Sequence, residues 1–334
     1  MKLLKKILIG LLVFIVLLLV LAYFLPRELE ISVSEKVDAP AKYAYNILND
    51  FKNQEVWDPW LAKDSTMTFT YGEKTLGEGA YLDYSSDTYG SARTTRTTTV
   101  QDDKILLISE SEDNGGASMS YSFEPDGDNS KLTWEFNSEI GWPKNLISFF
   151  IKSSMKKDMK IGISNISKIA NERWKNRTYN GYQVNQEVRE SINYVISRDV
   201  VPFAQSDKFY TQNLQPLFMK IQKAGVKMEG NSCALVYNYD FANNTLDMAT
   251  AIPIQEEVAI EGAGTETLER GKILVVDYYG DRQGTMPAHL AIDDYMRDRG
   301  LFNEYPVVEE YITDPTEEKD PSKWLTKVIY YLSE

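Results

Sequence analysis

The sequence predicts an α+β protein in three parts: an apolar N-terminal helix, an antiparallel sheet closed by one long helix, and a strand–helix–strand–strand unit used twice. Three observations carry that expectation. Ile7 to Leu25 is an uncharged run of 19 residues. Short stretches of alternating apolar and polar residues follow from Leu29 to Phe136, and the period becomes helical from Pro143 to about Asn176. Lastly, two helix ends between strand-like runs read alike, Lys223-Ala224-Gly225-Val226 and Asp298-Arg299-Gly300-Leu301.

The first run sets the context for the rest. At 1.5 Å per residue it spans roughly 28 Å, close to the hydrocarbon thickness of a bilayer. A helix satisfies its own backbone polar groups, so lipid can accept it. Lys2, Lys5 and Lys6 precede the run and Tyr23 sits near its far end. Basic flanks stay cytoplasmic, which predicts a single-pass membrane protein with its N-terminus inside and everything after Pro26 outside. The rival reading is a cleaved signal peptide. The run is longer than the usual apolar core of a signal, and Ala22-Tyr23-Phe24-Leu25-Pro26 offers no small-x-small cleavage site. A lipid-modified cysteine is excluded there, because the only cysteine is Cys233.

The remaining chain is long enough for about two domains, and 43% hydrophobic residues suffice for true cores. One cysteine excludes an internal disulfide. The net charge of −13 argues against a nucleic-acid partner. Charge is uneven: residues 181–334 carry 14 Lys+Arg against 25 Asp+Glu, while residues 1–180 carry 22 against 24. That asymmetry supports a division into an anchor (1–28), a first soluble domain (29–175), a polar linker (176–181) and a second soluble domain (182–334).

In the first domain, Leu29, Ile31 and Val33 alternate with polar residues as in a half-buried strand. Asp38-Ala39-Pro40 marks a helix start, and Ala41, Ala44, Tyr45 and Leu48 fall on one face. Further strands are expected around Met67–Tyr71, Tyr81–Tyr84, Thr94–Val100, Lys104–Glu110, Met119–Phe123 and Leu132–Phe136. Asn114-Gly115-Gly116 and Asp126-Gly127-Asp128-Asn129 read as hairpin turns. Met159, Ile163, Ile166 and Ala170 then line one face of a long helix. A sheet curved around such a helix encloses a cavity. Trp57 and Trp60 could line it, or could pack their loop onto the sheet. Asp126 and Asp128 hint at a calcium loop, but the twelfth position holds Asn137 rather than a glutamate, so a solvated turn is expected.

Several strings in this region resemble the START-like, polyketide-cyclase-type superfamily, whose fold is called a helix-grip: Val37-Asp38-Ala39-Pro40, Trp57-Asp58-Pro59-Trp60, Gly77-Glu78-Gly79-Ala80, Pro125 before an acidic turn, and Leu132-Thr133-Trp134. The resemblance covers about residues 29–175. It implies binding of hydrophobic small molecules, with a few members acting as cyclases or hydrolases.

In the second domain, Tyr182 to Ser197 alternates weakly as a strand. Leu214, Leu217, Phe218, Ile221 and Ala224 form a helical stripe stopped by Gly225. Strands at Cys233–Tyr239 and Leu246–Ile254 follow. The pattern then repeats with a strand at Lys272–Tyr279, a helix through Ile292, Tyr295 and Met296 stopped by Gly300, and strands at Pro306–Thr313 and Lys327–Leu332. The duplication, together with Val308-Glu309-Glu310-Tyr311-Ile312-Thr313-Asp314-Pro315, resembles the gyrase-inhibitor-like effector-binding domain attached to some AraC- and MerR-type regulators. That resemblance, over about residues 182–334, implies a groove lined by aromatics with a buried glutamate on its floor, here Glu309. Tyr279-Gly280-Asp281-Arg282-Gln283-Gly284 departs from the family's Gly-Pro-Tyr at the groove's mouth.

Strand alternation puts Glu309 and Tyr311 inward and Glu310 toward solvent. An inward carboxylate in an aromatic groove needs a partner. Three are open: a cationic ligand that also uses faces such as Tyr278 and Tyr311, a role as general base, or a structural bond to a tyrosine hydroxyl or backbone amide. His289, the only histidine, is expected to be exposed or at an edge; with no cysteine nearby it cannot build a zinc site, and no Gly-x-Ser-x-Gly elbow accompanies it. No phosphate-cradling glycine motif is present, so no cofactor is expected. The functional expectation is a membrane-anchored binding or sensing protein for hydrophobic small molecules, cationic ones included. The alternatives are a hydrolase of electrophilic molecules using Glu309, and a structural adaptor with vestigial pockets.

Overall fold

The computed structural model describes residues 2–111 and 115–333. The chain divides into two compact units, Met1–Lys175 and Asn176–Glu334.

The first unit opens with α1 (Lys2–Phe24), apolar on every face beyond Lys6 and largely exposed. It is the one helix among the described residues long and apolar enough to cross a membrane. The last carbonyls of a helix have no partner within it. Here the buried Asn145 supplies one, its Nδ2 donating to the carbonyls of Ala22 at 2.6 Å and Leu25 at 3.2 Å. Next come β1 (Glu28–Val37), α2 (Ala41–Leu48) and the single turn α3 (Gln54–Trp57). Six strands follow: β2 (Thr68–Tyr71), β3 (Tyr81–Ser86), β4 (Gly90–Val100), β5 (Lys104–Ser111), β6 (Gly115–Asp126) and β7 (Asn129–Glu139). With β1 they form one antiparallel sheet in the order β1-β7-β6-β5-β4-β3-β2. Asn114 of the expected Asn114-Gly115-Gly116 turn lies outside the described residues, and the two glycines open β6.

The long helix α4 (Ser148–Asn171) buries Met159, Ile163, Ile166 and Ala170, the stripe its periodicity predicts. These side chains meet Leu29, Ile31, Val33 and Trp134 from the sheet. Gly162 lets the helix come this close, because a Cβ there would fall 2.9 Å from the Trp134 ring. The expected order of strand, short helix, six antiparallel strands and long helix is the order observed.

The second unit begins where a plain linker was expected. Instead, β8 (Thr178–Tyr179) and β9 (Tyr182–Gln183) make a small hairpin over Asn180-Gly181, both at positive φ. Tyr179 is buried and donates to Asp298 at 2.9 Å, which ties this hairpin into the unit. Beyond it lie β10 (Asn185–Arg189), β11 (Ile192–Pro202), α5 (Ser206–Lys223), β12 (Cys233–Asp240), β13 (Thr245–Ile254), β14 (Gly264–Leu268), β15 (Gly271–Tyr279), α6 (Met286–Arg299), β16 (Asn303–Tyr311) and β17 (Leu325–Leu332). The single strand expected over Tyr182–Ser197 is broken into three because β10 pairs with β15 while β11 pairs with β13 and β14. The edge strand β14 had no clear alternation to announce it.

The eight strands run in the order β10-β15-β17-β16-β12-β13-β11-β14. Reading outward from the central β12–β16 pair gives β13 and β11 on one side, β17 and β15 on the other. Leu217 and Ile221 of α5 pack with Val195, Ile252 and Ile254, and Ala288, Ile292 and Tyr295 of α6 join Leu274, Val276 and Val328 in another core. The opposite face is also buried, around Tyr194, Ile273, Val275 and Tyr331. This corrects the expectation for Glu310. It is partly buried on that face and paired at 2.9 Å with Arg189, the last residue of the edge strand β10, rather than facing solvent.

Candidate functional site

The second unit contains a cavity of about 380 Å³ between the central strands and the starts of α5 and α6. Its floor is built by strand alternation: Glu309 and Tyr311 on β16 project to the same face, with Ala234 opposite Glu309 on β12. Phe203, Tyr239 and Phe241 stack as a wall, with ring centroids 5.6 to 6.5 Å apart. Tyr210 from α5 meets Tyr311 edge-on at 4.7 Å.

Helix α6 supplies what the carboxylate needs. Thr285 and His289 are four residues apart and so share a helix face. Thr285 Oγ1 donates to Glu309 Oε1 at 2.9 Å, and His289 Nε2 lies 2.7 Å from the same oxygen. Tyr311 donates to Oε2 at 3.0 Å. A carboxylate can only accept, so His289 carries its proton on Nε2, and Nδ1 faces the Tyr330 hydroxyl at 3.1 Å. His289 is therefore buried and doubly bonded, which corrects its expected exposed or edge position. Two good partners offset the cost of burying an imidazole.

Burial pushes the Glu309 carboxyl up, but the His289 bond and charge, with Thr285 and Tyr311, outweigh it and hold the group below its ordinary value. Burial and the neighbouring Glu309 charge raise Tyr311 well above the usual tyrosine range, and the same two causes raise Tyr239. Burial pushes Tyr210 up to about 12, partly relieved by its bond to Ser232. The site thus presents one ionised carboxylate among neutral hydroxyls. At the mouth, the Arg282 guanidinium lies 4.8 Å from the Tyr311 ring centre and 5.4 Å from that of Tyr210.

Of the residues singled out from sequence, the structure brings Glu309 and Tyr311 together in this cavity. Tyr278 lies apart from them. Its ring packs on Tyr182 at 6.3 Å, and its hydroxyl sits under Gly280 and Gly284, where neither position has room for a Cβ. Trp57 and Trp60 belong to the first unit, where their rings lie 5.7 Å from Trp134 and fill the space between sheet and α4. Asp58, between them, accepts from the amides of Trp60 and Leu61 and from Gln54, fixing the turn. A groove of about 530 Å³ along α4 is lined by Glu35, Lys36, Asp38 and Lys160, which pair with one another on the surface at 2.6 and 3.2 Å. Solvated ion pairs make a poor receptor for an apolar ligand.

Thr285 and Tyr330 are site residues with no local signal of that role in the sequence, and neither His289 nor Arg282 was expected to line the site. The four-residue spacing of Thr285 and His289 was visible, but which strand their helix face would cover was not.

Residues 28–170 match the family model described as polyketide cyclase / dehydrase and lipid transport, over the region whose residues carry the START-like resemblance. No curated protein matches the chain. Among solved structures, the crystal structure of the EcmrR C-terminal domain is similar at 16% identity and TM-score 0.42, covering 46% of this chain and 98% of that one. Protein CV1439 from Chromobacterium violaceum is similar at 12% identity and TM-score 0.33, covering 43% and 97%. The di-domain ARO/CYC StfQ from the steffimycin biosynthetic pathway is similar at 15% identity and TM-score 0.35, covering 44% and 51%. With all three scores below 0.5, these similarities bear on the function of neither unit.

Proposed function

We propose that this chain is a membrane-anchored receptor for an aromatic or otherwise apolar small molecule, held in the second unit with a donor group on Glu309. The observation that carries this reading is the aromatic-walled cavity with an ionised carboxylate on its floor. Glu309 receives three side-chain hydrogen bonds, and a carboxylate has about four acceptor positions, so one remains for a ligand. A protonated amine suits it best, since charge-assisted bonds are the strong ones. Such a ligand must displace Arg282 from the tyrosine faces, whereas a neutral apolar ligand need not. The strand order around β12 and β16 supports the duplicated strand–helix–strand–strand reading and, with it, the gyrase-inhibitor-like assignment.

The hydrolase reading is weaker on the same geometry. A general base needs a raised carboxyl, and Glu309 is held low. Both nitrogens of His289 are engaged by Glu309 and Tyr330.

The test is equilibrium dialysis of the full chain in detergent against 2-naphthylmethylamine and its neutral analogue 2-naphthalenemethanol. The amine should bind more tightly. Glu309→Gln should remove that preference, by about tenfold, while Arg282→Ala should strengthen amine binding and Glu310→Gln should change neither. Equal responses to Glu309→Gln and Glu310→Gln, or no binding of either compound, would refute the assignment.

We place the N-terminus in the cytoplasm and both units outside it, on the strength of Lys2, Lys5 and Lys6 before the apolar run. A phosphatase fused after Glu334 should then be active; activity only of a cytoplasmic reporter at that site would reverse the orientation.

A further inference from the structure

The segment between β7 and the middle of α4 is unlike the rest of this acidic chain. Residues 140–157 contain four lysines, Lys144, Lys152, Lys156 and Lys157, and no acidic residue, in a protein of net charge −13. The same segment leaves large apolar side chains uncovered. Phe149 and Phe150 are 74% and 70% exposed, and Trp142 and Ile147 are also exposed. Adjacent aromatic rings at the start of a helix are a costly thing to leave in water unless something covers them.

The hydrogen bonds identify the cover. Trp142 Nε1 donates to the carbonyl of Leu19 at 3.1 Å, and Asn145 Nδ2 donates to Ala22 and Leu25. Leu19 lies five residues before the end of α1, so the indole reaches roughly 7 Å back along that helix, into the apolar run. An aromatic ring with one polar edge favours the boundary between headgroups and acyl chains. Lysines beside uncovered aromatics are the pattern of an interfacial element that attracts anionic headgroups.

Accepting that α1 spans a bilayer, we propose that Trp142, Ile147, Phe149 and Phe150 insert into the bilayer surface beside α1, with Lys144, Lys152, Lys156 and Lys157 on anionic lipid headgroups, so that the first unit docks on the membrane. The covering surface is lipid because the segment is bonded to the helix that the lipid surrounds. The consequence is a first unit held in one orientation at the membrane rather than swinging on a tether.

Nitroxide labels on Leu12→Cys, Phe150→Cys and Asp128→Cys test this in the full chain, reconstituted in phosphatidylcholine bilayers with phosphatidylglycerol. The native Cys233 is buried, and the chain with no added cysteine supplies the background. Asp128 sits in the turn at the far end of the β1–β7 ladder from Glu28 and Glu139. Collisions with oxygen report lipid, and collisions with a nickel chelate report water. The oxygen-to-nickel ratio at Phe150→Cys should exceed that at Asp128→Cys several-fold, approach that at Leu12→Cys, and fall when phosphatidylglycerol is omitted. Three outcomes overturn the proposal. Nickel access at Phe150→Cys equal to that at Asp128→Cys, with Leu12→Cys still in lipid, removes the docking but leaves the span. Low collision with both reagents at Phe150→Cys means that protein, such as a second copy of the chain, covers it. Nickel access at Leu12→Cys removes the span, and the docking with it.

Discussion

The two units each bury a charge, and they do so in opposite ways. In the first, Arg96 is 2% exposed inside a packed core. It donates to the backbone carbonyls of Leu48 at 2.6 Å and Thr75 at 3.0 Å, and its guanidinium lies 3.5 Å from the Phe51 ring centre. Burial brings its pKa down to about 10, still well above neutral pH. In the second, Glu309 is 14% exposed and lies on the wall of a cavity, bonded by three side chains. Both groups are desolvated. Arg96 joins the end of α2 to β4 with rings and backbone closed around it, whereas Glu309 retains acceptor capacity next to open volume. Burial alone therefore does not separate a charge sealed into a core from one with room beside it for a ligand; the adjoining space does.

The comparison is broken most directly at Arg96. Arg96→Met keeps much of the volume but leaves the carbonyls of Leu48 and Thr75 without their charged donor, and should destabilise the first unit by about 3–5 kcal/mol in chemical denaturation. A loss below about 1 kcal/mol would mean that the core accepts an apolar side chain there and that the charge is dispensable.

Glu309→Gln should cost less, about 1.5–3 kcal/mol, because the amide still occupies the site. Its pH dependence carries more information. The folded carboxyl is held below its unfolded value of 4.5, so its contribution is fully present above that value and is lost as pH falls through the folded pKa. The gap in melting temperature between wild type and Glu309→Gln should shrink as pH falls below about 4.5. A gap that widens on acidification would contradict a depressed carboxyl.

The smallest effects sharpen the comparison at the surface, where both units use the same device. Arg93 forks onto Asp83 with both bonds at 2.7 Å and its guanidinium 4.1 Å from the Tyr81 ring centre. Arg198 forks onto Asp247 at 2.7 and 2.8 Å, 3.4 Å from that of Tyr237. Asp83→Asn and Asp247→Asn should each cost about 0.3–1 kcal/mol and both losses should diminish in high salt. The less exposed Asp247 pair should lose more; the reverse order would show that exposure does not set the strength of these pairs.

Much of this was already decided by local sequence. An uncharged run makes α1, alternation makes β1 and the strands through Phe136, and the stripe from Met159 to Ala170 faces the sheet because a 3.6-residue period allows no other face. The same alternation put Glu309 and Tyr311 on one face. Periodicity reports which face of an element is apolar, but not which element will cover it. That is why His289 was expected at an edge and is found against Glu309, twenty residues away, and why Trp57 and Trp60, legible as pocket residues or packing residues, are packed against Trp134. Arg282 over two tyrosines and Trp142 on Leu19 are likewise set by contacts between distant segments. The sequence alone determined the elements of the first unit and the faces of the long strands and helices, but not the short strands β8, β9, β10 and β14. The tertiary structure decided the partners of each buried polar group, because those partners come from segments that meet only when the sheets close and the helices dock.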